Sequence, residues 1–89
     1  MTNDLQLFSA VRALPHMAIT KTDGEYRVTY KLASIAAADR GRHGADWHRD
    51  HAERFAYYTN DRTDALGTAK ALSSHLVHLM ERLEKEAAL

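Results

Sequence analysis

The chain has 89 residues, which leaves room for one domain with a compact core. Its 45% hydrophobic and 27% charged residues are those of a globular protein and exclude disorder. Twelve Lys and Arg balance twelve Asp and Glu, so the basic excess that sustains phosphate-backbone binding is missing, and the lack of Cys excludes disulfide and thiolate chemistry.

Asn3 or Asp4 can cap a short helix in which Leu7, Phe8, Val11 and Leu14 share one face, and Pro15 ends it. Next comes Asp23-Gly24, a dipeptide suited to a type I′ hairpin turn, in which both central residues need positive φ. A turn there sets Lys21 opposite Tyr26, Ile19 opposite Val28 and Met17 opposite Tyr30, six side chains on one face with Lys21 the sole charge. The other face carries Thr20 opposite Arg27 and Ala18 opposite Thr29. The strands are expected over Met17–Lys21 and Glu25–Leu32.

Residues 36–52 are polar, punctuated by glycine and without an evident period, and read as a long connection. Arg54–Thr59, rich in aromatic residues, suits a third strand, with one of Tyr57 and Tyr58 in the core and the other exposed. Trp47 is expected to fold back over the core. Asn60 and Asp61 cap a long helix over Arg62–Glu86, whose Ala65, Ala69, Leu72, Leu76, Leu79 and Leu83 recur at threes and fours. At ~1.5 Å per residue it spans about 37 Å, whereas a strand of five or six residues covers ~20 Å. Its far half therefore needs another surface, either the N-terminal helix or a second copy.

The fold expected is a single α+β domain over residues 1–89. It has a short N-terminal helix, a three-stranded antiparallel sheet made of the hairpin and a third strand, and a long C-terminal helix packed on the sheet. No stretch approaches the ~20 apolar residues of a membrane span. Asp4 stands where a secretory leader would carry bases, so a cytoplasmic location is expected.

Candidate chemistry is sparse. His43, His48 and His51, with Asp46 or Asp50 nearby, have reachable metal-ligand spacing, but Arg42 and Arg49 disfavour a cation and the reading is a solvated loop with no metal and no cofactor. No nucleophile elbow, phosphate loop or paired carboxylates occur, and an enzyme is not expected. Arg40, Arg42, Trp47, Arg49 and Arg54 could stack bases and hold phosphates, and they define a nucleic-acid-binding alternative that the neutral charge disfavours.

The hairpin segment Met17–Val28 resembles the opening of HicB-type antitoxin domains, a strand, an acidic-Gly turn and a Tyr-x-Val strand. Thr59–Leu72 is similar to their third-strand end and helix start, where Ala-Leu, Ala and a second Ala-Leu pack one helix on a sheet. The resemblance implies a βββα layout, dimerisation and binding of a small partner protein, in that family an RNA-cleaving toxin. The Pro-Asp-Leu-Pro-Gly stretch of the family is replaced by Ala36–Ala52, and a helix is added at the N-terminus. The order of elements also looks like the double-stranded RNA-binding domain, but Asn60–Asp64 stands in place of its basic cluster. The leading expectation is a non-catalytic protein-binding module, antitoxin-like or regulatory. It is expected to form a homodimer through Leu76, Leu79, Met80 and Leu83.

Overall fold

The computed structural model describes residues 3–88. The elements run α1 (Asp4–Ala13), β1 (Met17–Thr22), β2 (Glu25–Tyr30), α2 (Leu32–Asp39), α3 (Ala45–Arg54), β3 (Tyr57–Thr59) and α4 (Arg62–Ala88). The fold is α+β, with an antiparallel sheet in the order β1-β2-β3 and β2 at its centre.

The hairpin forms in the expected register, Met17 with Tyr30, Ile19 with Val28 and Lys21 with Tyr26. Asp23 at φ 52° and Gly24 at φ 80° supply the two left-handed residues of the turn. Met17, Ile19, Tyr26, Val28 and Tyr30 are buried, under α1 and α4. Lys21 is accommodated on this face because its ammonium donates to Asp4 at 2.6 Å. Asp4 also accepts from the Tyr26 hydroxyl and, at 2.8 Å, from Arg62 Nε, so one carboxylate clasps α1, the hairpin and α4 together. Asn3 is the cap of α1: its Oδ1 accepts from the Gln6 amide while Gln6 Oε1 accepts from the Asn3 amide. Leu14 is extended before Pro15, and the helix stops there.

The connection expected over residues 36–52 is two helices. Strand β2 ends at Tyr30, and Leu32 opens α2 with its side chain 46% exposed. Alanine at 33, 36, 37 and 38 favours helix at every position, and Arg40 and Gly41, both at positive φ, end it. In α3 the acidic Asp46 lies in the first turn and His51 and Arg54 in the last, the sense that the helix dipole favours. Arg54 is thus helical, and β3 is confined to Tyr57–Thr59.

Helix α3 covers the reverse face of the sheet. Thr29 Oγ1 donates to the Ala52 carbonyl at 2.6 Å and is itself buried, and Arg27 pairs with Glu53 at 2.8 Å. Both Tyr57 and Tyr58 are exposed, at 39% and 45%, correcting the expectation that one would be core. Strand β3 is a short edge, and the two hydroxyls donate outward, Tyr57 to Asp64 at 2.7 Å and Tyr58 to Glu53.

Helix α4 starts where Asp61 Oδ1 accepts from the Asp64 amide. Its first half lies on the sheet through Ala65 and Ala69, and Tyr30 donates to the Leu72 carbonyl at 2.9 Å. Helix α1 runs beside this same half, from the Asp4–Arg62 pair to the bond from Ser73 Oγ to the Pro15 carbonyl at 2.7 Å. Neither α1 nor the sheet therefore covers the far half. Helices α2 and α3 reach it in part, through Ile35 and Trp47.

Candidate functional site

The meeting of α2, α3 and α4 leaves a groove of about 330 Å³. Helix α4 supplies His75, Leu76 and Leu79, α2 supplies Ile35, Ala38 and Asp39, and Tyr30 enters from β2. The remaining wall is a column of rings at every fourth residue, His43, Trp47, His51 and Phe55. Spacing of four puts Trp47 and His51 one above the other on α3, with His43 in the segment before the helix and Phe55 at its C-cap. His43 stacks on Trp47 at 3.9 Å between centroids and 8° between planes, and His51 stacks on Trp47 at 4.5 Å and 12°. The column then turns edge to face, His51 against Phe55 at 4.9 Å and Phe55 against Tyr30 at 5.5 Å.

Asp39 holds the upper end of the column. Its side chain is only 4% exposed, and its two oxygens lie 2.7 Å from His43 Nδ1 and 3.0 Å from His48 Nε2. A third bond arrives from the His43 amide at 2.8 Å. Burial pushes this carboxyl up, but the bonds from His43 and His48 outweigh it and hold the group at about 2. With a carboxylate as acceptor, the proton of each ring sits on the nitrogen facing Asp39. The negative charge inside the groove is thereby satisfied within the wall. His51 differs, because its Nδ1 is enclosed without a hydrogen-bond partner.

The three histidines singled out in the sequence do not converge. His43 and His48 meet on Asp39, while His51 is separated from them by the indole of Trp47. Among the described residues no group of three or more His, Asp or Glu is arranged to hold a metal ion. The five residues of the nucleic-acid alternative are dispersed. Trp47 has a ring stacked on it from the turn before and another from the turn after, which leaves neither face for a base. Arg49 is paired with Asp46 at 2.7 Å, Arg40 is the left-handed C-cap of α2, and Arg54 ends α3. Of the four arginines, Arg42 alone lines the groove, beside Trp47. Trp47 does fold back, half-buried against the core, as the sequence led one to expect.

Of the four residues expected at a dimer interface, Leu76 and Leu79 line the groove, and Met80 and Leu83 continue half-buried along α4 beyond it. Ile35, Asp39 and Phe55 join the site without any one of them standing out in the sequence. The period-four recurrence of His43, Trp47, His51 and Phe55 was the available signal, hidden because two of its members, His43 and His51, do not read as apolar. Elsewhere among the described residues a nucleophile and a base come within reach, Ser34 Oγ at 2.9 Å from His16 Nδ1. That pair fastens the entry of β1 to α2 and does not line the groove.

No helix among the described residues is long and apolar enough to cross a membrane. No protein-family model, curated protein or solved structure matches the chain.

Proposed function

We propose that the chain is a non-catalytic protein-binding module of the cytosol, a regulatory or antitoxin-like partner protein. The observation that carries this reading is the groove and its continuation. Apolar and aromatic side chains of four elements meet around an open cavity, and Met80 and Leu83 prolong the same surface along α4. A concave site lined mainly by apolar and aromatic side chains with a few polar groups among them is the character of a binding cleft. The polar groups in the wall hold the wall together, Asp39 above all, and no nucleophile accompanies them. The order of three antiparallel strands followed by a helix is also the layout that the HicB resemblance implies, with α2 and α3 in place of the family's Pro-rich stretch.

The test is cross-linking of the chain in extract from its source cells, with wild type beside a Leu79→Asp variant. The reading expects cross-links from wild type, to itself or to another protein, that the charge in the groove abolishes. Cross-links that survive the variant, or none at all, overturn it. A parallel titration with mixed RNA and DNA at low and high salt addresses the alternative, since phosphate contacts must weaken steeply as salt rises. The reading expects no binding at either concentration.

A further inference from the structure

We infer that the groove is filled by the far end of α4 from a second copy of this chain, each copy lending its helix end to the other's groove. The inference rests on the protein-binding reading and names its partner. Three observations support it.

The first is continuity. Leu76 and Leu79 form one wall of the groove, and Met80 and Leu83 follow within the next turn of the same helix, half-buried. The surface that receives and the surface that inserts are therefore contiguous. An interface in which one patch both gives and receives closes on a twofold axis and leaves no unfilled site behind.

The second is reach. Helix α4 has 27 residues, about 40 Å at ~1.5 Å per residue, in a molecule whose longest dimension is 47 Å. The sheet and α1 occupy only its first half. The second half has a face of Leu79, Met80 and Leu83 with the groove on one flank and no element of the described chain on the other.

The third is charge. With Asp39 taken up by His43 and His48, the cation that the groove offers at its margin is Arg42. The incoming helix end carries Glu81, Glu84 and Glu86 against Arg82 and Lys85, a small acidic surplus. Opposite margins steer two copies into one register, and the zero net charge of the chain leaves little repulsion between them.

Light scattering over a dilution series tests the inference. Leu83→Asp is the main variant, because Leu83 lies outside the groove lining and the buried core, so its loss does not threaten the fold. Wild type is expected at twice the chain mass and Leu83→Asp at the single mass, with backbone chemical shifts of the hairpin unchanged. Leu5→Asp, at a side chain 76% exposed on α1, is expected to stay dimeric. Trp47, the sole tryptophan, stands in the groove wall, so its emission should shift on dilution of wild type and not of Leu83→Asp. A wild type of single mass at high micromolar concentration overturns the inference, as does a Leu83→Asp protein that remains a dimer. A monomer that still cross-links to another protein through Leu79 removes the second copy as occupant and leaves the protein-binding reading standing. A monomer with no cross-links removes both.

Discussion

Single side chains do unusual work on both faces of the sheet. Thr29 lies on the reverse face, yet it is buried because its hydroxyl meets the Ala52 carbonyl under α3. Thr29→Val keeps the shape and removes the donor, so an enclosed carbonyl loses its partner. That should cost about 1–2 kcal/mol, read as a fall of roughly 4–8 °C in Tm per kcal/mol for a domain of this size. A Tm equal to wild type would show that α3 does not press on the sheet. Asp39 makes a different prediction, one of pH. Its carboxyl is held at about 2 against an ordinary 3.8, so the folded state binds its proton less readily than the unfolded state does. The stabilisation is therefore complete above pH 3.8 and is lost as pH falls through about 2. Asp39→Asn should lower Tm at neutral pH, and the gap from wild type should close across that acid window. A gap that stays constant with pH would refute the clamp.

Among the elements, the hairpin and α1 depend on local chemistry and α2 and α3 on company. Gly24 has φ +80° with nothing within 4 Å of a Cβ placed on it, so space is not the constraint and backbone geometry is. Gly24→Val should destabilise the protein by about 1–2 kcal/mol, the penalty of a left-handed conformation for a side chain with Cβ, measured by urea unfolding. Asn3→Ala removes one half of a reciprocal cap and should cost about 1 kcal/mol. Helix α2, by contrast, has eight residues and α3 ten, lengths at which an isolated helix is marginal in water. Their stability comes from each other, from the ring column and from Asp39. Chemical shifts should show helix over 32–39 and 45–54 in wild type, and partial loss of helix in both segments in a Trp47→Ala variant.

For the molecule as a whole, one core reaches into every helix and into both long strands, from Leu7 and Val11 in α1 through Ile35 and Ala52 to Leu76 in α4. It is not evenly dense. Helices α2 and α3 contact mainly one another, while β2 touches both neighbouring strands and α4. Regions with fewer contacts open at lower free energy than the global transition. Amide exchange should accordingly be faster over 32–54 than in β2 and the first half of α4. If a second copy covers the groove, protection over 32–54 and 76–83 should rise with protein concentration while that of β2 does not change. Exchange that is uniform along the chain would contradict the uneven core.

The hairpin register, the presence of α1 and the extent of α4 were determined by sequence alone, because each rests on residues close in the chain. The cap of α1 stayed open between Asn3 and Asp4 until the fold put Asp4 against Lys21 and Arg62. Turn geometry at Asp23-Gly24 and strict alternation leave one pairing open, and a stripe at threes and fours leaves one helical face. The sequence also implied that α4 outruns its sheet. Tertiary structure alone decided what residues 32–54 become. Helix α2 is rich in alanine but only eight residues long, and histidine in α3 carries a weak local preference, so both settle as helices only where Asp39, Trp47 and Phe55 find partners on other elements. The groove likewise joins Tyr30, Asp39 and Leu79, residues far apart in the chain. No local pattern specifies that junction, because it exists only where α2, α3 and α4 are brought together.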